Sequence, residues 1–121
     1  MKNKILICDD EEGVRESLKL ILSDYYDLIV TETPADCIKV LETTDNIGLV
    51  LLDIKMPKIN GLDVLRKVKE KDQTLHAIMI TGYRSVEAAQ VCSELGANSY
   101  IIKPFKTQDI LDAVKTHFRP E

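Results

Sequence analysis

The chain has 121 residues, of which 45% are hydrophobic and 30% charged, and its formal net charge is −4. This length allows one hydrophobic core and one domain, with the composition of an ordinary globular protein. No apolar run is long enough to cross a bilayer, and no basic cluster indicates a surface for nucleic acid. We therefore expect a cytoplasmic protein without a membrane segment and without direct nucleic-acid binding.

Short apolar runs alternate along the chain with segments of helical periodicity. The apolar runs predict strands at 4–8, 27–31, 48–53, 77–81 and 99–102. The run before Asp53 is apolar on every residue, as in a central strand that is buried on both faces. Such an alternation predicts a parallel sheet with helices on both faces. The predicted fold is a doubly wound α/β domain of five strands and five helices, for which a flavodoxin-like strand order is one of two common options.

Helix signals separate the predicted strands. The apolar face of the first helix is predicted to hold Val14, Leu18, Ile21, Leu22 and Tyr25. The predicted capping or first residues of the other four helices are Thr33, Asn60, Ser85 and Thr107. Gly96 is predicted to end the fourth helix in a left-handed conformation.

The cysteines and histidines give no metal-binding motif. Cys8, Cys37 and Cys92 lie in apolar segments and form no CxxC, which favours buried, reduced thiols. His76 and His117 are far apart in the sequence, and we expect each to be structural or to face solvent.

Residues that could carry chemistry follow four of the predicted strands. Asp9 and Asp10 follow the first strand, Asp53 ends the third, Thr81 ends the fourth and Lys103 follows the fifth. Each has an ordinary structural explanation, such as helix capping for the acids or strand propensity for the threonine. All these strand ends, however, lie on one edge of a parallel sheet, where α/β proteins bind ligands.

Three carboxylates at that edge would repel one another unless a cation neutralises them. Oxygen ligands without histidine or cysteine favour Mg²⁺ or Mn²⁺. A carboxylate nucleophile, a divalent metal and two hydrogen-bond donors are what phosphoryl transfer to an aspartate requires. The sequence therefore predicts this chemistry at Asp53.

Over essentially all of its length the chain resembles the receiver domain of two-component response regulators. The resemblance rests on Asp9-Asp10, on Asp53-Ile54-Lys55-Met56-Pro57 with Gly61 beyond, on Thr81-Gly82, and on Tyr100 with Lys103-Pro104-Phe105. It implies that residues 1–121 form one receiver domain, and that a sensor histidine kinase or phosphotransfer protein phosphorylates Asp53.

The resemblance also implies the roles of the residues around Asp53. Mg²⁺ would be held by Asp9, Asp10, Asp53 and the backbone carbonyl of Lys55. Thr81 and Lys103 would contact the phosphoryl group, and Tyr100 would turn inward when Thr81 moves.

Further implications concern Lys55 and Tyr83, whose large side chains predict slow self-hydrolysis of the phosphate. The Lys103–Pro104 peptide is expected to be cis. The surface made by the fourth helix, fifth strand and fifth helix would control an output domain or partner protein, with a homodimer as one outcome of phosphorylation. The stretch 9–18 looks like receivers that precede the output domains of transcriptional activators.

Three other functions can be weighed against this one. A phosphatase with an aspartate nucleophile usually has a second acid two residues later, where this chain has Lys55. A nucleotide-binding module requires a GxGxxG or GxxxxGKS/T motif after a strand, and the sequence has neither. An interaction module with a dead site is disfavoured by the complete set of acids, Thr81 and Lys103. We therefore expect a signalling phosphoacceptor that catalyses only its own phosphorylation and dephosphorylation.

Overall fold

The computed structural model describes residues 3–54 and 61–119, and in these two ranges five strands alternate with five helices. The elements are β1 (Lys4–Cys8), α1 (Glu12–Leu22), β2 (Asp27–Thr31), α2 (Pro34–Thr43), β3 (Ile47–Leu52), α3 (Gly61–Lys71), β4 (His76–Thr81), α4 (Val86–Glu94), β5 (Ser99–Ile102) and α5 (Thr107–His117). The predicted alternation of strands and helices is confirmed.

All neighbouring strands are parallel, and their order is β2-β1-β3-β4-β5. This is the flavodoxin-like order, in which the connections diverge between β1 and β3 and leave a crevice at their carboxyl ends. Cys8 pairs with Leu52, so Asp9 and Asp53 leave neighbouring strands at the same level. The register of two buried strands thus places both acids in the crevice.

Two apolar layers hold the helices against the sheet. Because side chains alternate along a strand, Leu6 and Cys8 of β1 join the layer beneath α2, α3 and α4. Ile5 and Ile7 join the layer beneath α1 and α5. Both layers are closed to solvent at β1 and β3, which makes the central strands a rigid support for the residues that follow them.

The chain departs from the predicted helix pattern at Tyr25. Helix α1 ends at Leu22, and Tyr25 lies in the following turn with 68% of its surface exposed. The turn breaks the helical periodicity, so Tyr25 no longer shares a face with Leu18. Its neighbour Tyr26 packs against Phe118 instead, with ring centroids 5.6 Å apart. The prediction that Tyr25 faces the core is wrong.

Most predicted helix signals are present in the structure. The hydroxyls of Thr33 and Ser85 accept hydrogen bonds from the N–H groups of Asp36 and Ala88, as N-caps do. Gly96 has a φ of +98° after α4. The predicted cap Asn60 lies outside the described residues.

The three cysteines are buried free thiols, as predicted. The two histidines, although distant in sequence, are in contact: the rings of His76 and His117 are 5.5 Å apart between centroids. Across the described ranges, no helix combines the length and apolarity required to cross a membrane.

Candidate functional site

Asp9 is held by its backbone and by its side chain. Its N–H donates to the carbonyl of Thr31 at 3.2 Å, and its own carbonyl accepts from Nη1 of Arg15 at 3.0 Å. Its Oδ1 accepts from the N–H of Glu11 at 2.9 Å, and only 2% of its surface is exposed. The carboxylate is therefore fixed before any ligand arrives.

Asp53 is fixed by backbone contacts from two sides. Its N–H donates to the carbonyl of Cys8 at 3.2 Å, and the N–H of Gly61 donates to the carbonyl of Ile54 at 2.8 Å. A Cβ at Gly61 would overlap the carbonyl oxygen of Asp53, so only glycine allows α3 to start this close. Asp53 itself is 2% exposed.

Lys103 connects the acids of β1 and β3. Its Nζ lies 2.8 Å from Oδ2 of Asp53, 2.9 Å from Oδ2 of Asp9 and 2.7 Å from Oε1 of Glu11. Its backbone N–H donates to the carbonyl of Thr81 at 2.8 Å, and the Lys103–Pro104 peptide is cis. Burial alone would lower the pKa of Lys103, but the hydrogen bonds that its ammonium group donates to Asp53, Glu11 and Asp9 outweigh burial and raise that pKa.

Among the residues that the structure describes, four acids share the edge of the sheet with the Lys103 ammonium group. Asp9, Asp10, Glu11 and Asp53 can each offer one carboxylate oxygen such that all four oxygens lie within 4.8 Å of one another. Burial raises the pKa of Asp9, against hydrogen bonds from Glu11 and Lys103 that lower it. One cation cannot neutralise four carboxylates, and the all-oxygen donor set fits a hard divalent ion such as Mg²⁺.

Thr81 and Tyr100 lie on the neighbouring strands β4 and β5. Thr81 is fully buried, and its Oγ1 accepts from the N–H of Tyr83 at 3.4 Å. The hydroxyl of Tyr100 donates to the carbonyl of Tyr83 at 3.0 Å, and burial raises the pKa of this phenol. The segment after Thr81 is therefore hydrogen-bonded to both residues.

The structure brings Asp9, Asp10, Asp53 and Lys103 together, while Lys55 lies outside the described residues. Glu11 also belongs to the cluster and was not predicted as a site residue. It is the N-cap of α1 but makes no side-chain cap bond, which leaves its carboxylate available to Lys103. The signal in the sequence that could have identified Glu11 as a site residue is its position directly after Asp9 and Asp10.

Arg15 was missed as well. Its side chain is only 15% exposed and reaches both the Asp9 carbonyl and, at 3.2 Å, Oε2 of Glu32. Nothing in the helical pattern distinguishes an arginine that supports the site from one that faces water.

Comparison with known proteins identifies the family and the fold. A family model described as the response regulator receiver domain matches residues 5–115. The chain belongs to the response regulator receiver family. The receiver is 33% identical over 118 residues to sporulation initiation phosphotransferase F of Bacillus subtilis, with 97% of this chain and 94% of that protein covered. It is 34% identical to the transcriptional regulatory protein CpxR of Escherichia coli K12, covering 97% of this chain but only 50% of CpxR.

Solved structures agree. A CheY-like receiver domain from Methanospirillum hungatei JF-1 has a TM-score of 0.89 at 32% identity, with 96% of this receiver and 93% of that chain covered. A CheX-CheY-BeF3-Mg²⁺ complex from Borrelia burgdorferi has a TM-score of 0.86 at 27% identity, covering 97% and 90%. The predicted family and fold are confirmed, and the chain is a receiver domain of two-component signalling.

Proposed function

We propose that this receiver accepts a phosphoryl group on Asp53 from a sensor histidine kinase or a phosphotransfer protein. The observation that carries the proposal is the position of the Asp53 carboxylate, which is buried, hydrogen-bonded to Lys103 and surrounded by three further acids. An oxygen of Asp53 attacks phosphorus, the P–N bond of the donor phosphohistidine breaks, and the imidazole leaves. The whole of 1–121 is proposed to act as one receiver domain.

The reaction is proposed to require Mg²⁺, or Mn²⁺ in its place. Asp9, Asp10, Asp53 and the backbone carbonyl of Lys55 would hold the ion, and the CheY structure from Borrelia burgdorferi that this chain resembles is an Mg²⁺ complex. When bound, the ion neutralises charge between the carboxylates and the incoming phosphoryl oxygens. Asp9 is already oriented for this by Arg15 and by the N–H of Glu11.

Lys103 is proposed to exchange partners during the reaction. In the structure its Nζ contacts three carboxylates, one of which becomes the phosphorylated group. A short displacement moves the ammonium group to a phosphoryl oxygen, where it forms a charge-assisted hydrogen bond of about 1.5–3 kcal/mol. Thr81 supplies a second hydrogen bond to the same group.

These two bonds are of the size that a conformational switch needs. Moving a population from 1:99 to 99:1 requires about 5.5 kcal/mol of differential stabilisation. Movement of Thr81 towards the phosphoryl group breaks its contact with the Tyr83 N–H and frees Tyr100 to turn inward. The altered surface is that of α4, β5 and α5, where Val86 is 70% exposed and Ile102 37% exposed. This surface would bind an output domain, a partner protein or a second receiver.

The receiver is proposed to catalyse only its own phosphorylation and slow dephosphorylation. Lys55 and Tyr83 would limit access of water to the phosphate, and Tyr83 is 42% exposed beside the site. A phospho-Asp53 lifetime of only seconds would contradict this role. We further propose a cytoplasmic location and, since CpxR relatives are transcriptional regulators, a role in transcription regulation.

The test is incubation with acetyl phosphate, with and without Mg²⁺, followed by intact-mass measurement. Wild type is expected to gain one phosphoryl group only with Mg²⁺, and Asp53→Asn to gain none. Asp24→Asn is the matched control, because Asp24 is an exposed acid in the turn after α1, and it should behave as wild type. Failure of wild type to gain mass would favour an interaction module with a dead site, and release of phosphate from small-molecule esters would favour a phosphatase.

A further inference from the structure

Two of the three buried thiols are in contact with each other. Cys8, the last residue of β1, and Cys37, in the first turn of α2, are both completely buried, and the hydrogen bond between their thiols lowers the pKa of Cys8 and raises that of Cys37. This contact lies in the apolar layer beneath α2, directly behind the acidic site.

One carbonyl oxygen positions both cysteines. The thiol of Cys8 donates to the carbonyl of Thr33 at 3.5 Å, and the backbone N–H of Cys37 donates to the same oxygen at 3.0 Å. The two cysteines are therefore held at the same carbonyl oxygen, within one buried layer.

We propose that Cys8 and Cys37 form a redox modification site, at which a peroxide produces a reversible intramolecular disulfide. One thiol takes an oxygen atom from the peroxide to give a sulfenic acid and water. The sulfur of the other attacks the sulfenic sulfur; the S–S bond forms, the S–O bond breaks, and a second water leaves. Two thiols lose two electrons and two protons, and the peroxide is reduced to two waters.

Cys92 is a natural control for this chemistry. It is also completely buried and belongs to the same apolar layer. It lies on α4, however, which packs against β5, whereas α2 packs against β1 and β2. If disulfide formation requires that the two cysteines lie close together, Cys92 should remain a free thiol. If burial alone were sufficient, Cys92 should be oxidised as well.

The bridge would also reach the phosphorylation site. The carbonyl of Cys8 accepts from the N–H of Asp53 at 3.2 Å, and Asp9 is the next residue. An S–S bond of about 2.05 Å is much shorter than a contact between two thiols, so closure draws the backbone of Cys8 towards α2. This consequence rests on the proposed function: small displacements of reacting groups slow a reaction strongly, and we expect phosphorylation at least about fivefold slower in the oxidised receiver.

Formation of the bridge is tested with hydrogen peroxide, followed by alkylation of free thiols in denaturant and peptide mapping. Because both sulfurs are buried, α2 must open locally before oxidation, and sub-denaturing urea should accelerate the reaction. We expect wild type and Cys92→Ala to lose two thiols into a Cys8–Cys37 bridge, and Cys37→Ala to form none. A bridge to Cys92, linked dimers, or three alkylated thiols after treatment in urea would overturn the proposal. Mapping of wild type decides this even if a variant does not fold.

The coupling is tested by phosphorylating the oxidised receiver, and the same sample after dithiothreitol, with acetyl phosphate and Mg²⁺. A slowed rate that recovers on reduction is expected. Equal rates before and after reduction would overturn the coupling. Absence of phosphorylation in both samples would instead contradict the proposed function, while the mapped bridge would stand.

Discussion

The two edges of the sheet treat polar groups in opposite ways. At the carboxyl edge, four acids crowd around Lys103. At the amino edge, side chains satisfy backbone groups one by one: Oδ1 of Asn98 accepts from the N–H of Ala77 at 3.0 Å, and Nζ of Lys69 donates to the carbonyl of Leu75 at 2.7 Å. The amino edge is arranged for stability, whereas the carboxyl edge keeps an excess of like charge.

The difference indicates where this receiver gives up stability for function. Like charges crowded together destabilise a fold, and the proposed Mg²⁺ would offset that repulsion. The change in unfolding free energy caused by a substitution at the carboxyl edge should therefore depend strongly on Mg²⁺. The change caused by a substitution at the amino edge should not.

The largest effect is expected from Gly61→Ala. Its Cβ would overlap the backbone carbonyl of Asp53, so the start of α3 or Asp53 itself must move. We expect a loss of about 3 kcal/mol in the free energy of unfolding, as for other severe backbone clashes, together with loss of phosphorylation. Urea denaturation and the acetyl phosphate assay measure the two effects.

Gly13→Ala is the matched control for that substitution. Gly13 lies in α1, and a Cβ there meets no atom within 4 Å. Alanine in a helix is more favourable than glycine by roughly 0.5–1 kcal/mol, so this variant should be slightly more stable. Equal effects of the two substitutions would contradict the close packing at Asp53.

Lys103→Met should have the next largest effect. It removes the ammonium group that contacts Asp9, Glu11 and Asp53, and the buried carboxylates of Asp9 and Asp53 lose that cationic partner. We expect the metal-free protein to lose about 3 kcal/mol, of which Mg²⁺ restores a large part. Thermal unfolding with and without Mg²⁺ measures this, and a loss that Mg²⁺ does not reduce would show that the lysine acts by packing alone.

Asp9→Asn and Asn98→Ala should shift stability in opposite directions. Burial raises the pKa of Asp9 above its usual 3.8, so the stability that Asp9 contributes is present below that pH and is lost as the pH rises through the folded-state pKa. At neutral pH the charged form disfavours folding, and Asp9→Asn should stabilise the metal-free protein by about 1 kcal/mol while weakening its response to Mg²⁺.

Asn98→Ala removes the acceptor of the buried N–H of Ala77 and should cost about 1–2 kcal/mol, independently of Mg²⁺. Asn98→Asp, which keeps an acceptor oxygen, is the control and should cost less. If both the Asp9 and the Asn98 substitution destabilised the metal-free protein, the contrast between the two edges would be lost.

The contrast between the two edges also explains which site residues could be predicted from the sequence. The apolar runs of β1 and β3 predict buried strands, and a parallel sheet then places Asp9, Asp53, Thr81 and Lys103 on one edge whatever the helices do. Contacts made by flexible or neutral side chains leave no such pattern. Glu11 reaches Lys103 only because its carboxylate makes no cap bond, and Tyr25 turned outward where a turn interrupted the helical period.

The contact between the two histidines at the amino edge could not be predicted for the same reason, since His76 and His117 are brought together only by packing of α5 on the sheet.

The histidine pair also gives the smallest predicted effect on stability. Burial, and then the charge of His76, lower the pKa of His117. The unfolded chain therefore binds more protons near pH 6, and the stability that His117 contributes is present above about pH 6.5 and lost as the pH falls.

His117→Gln should flatten this dependence by about a few tenths of a kcal/mol, because the pair is only partly buried and water screens it. Urea midpoints between pH 5 and 8 measure the slope, with Lys115→Gln on the same helix as the control. An unchanged slope in His117→Gln would contradict the lowered pKa of His117. A change that required Mg²⁺ would contradict the separation of the two edges, since His117 lies at the edge opposite to the acids.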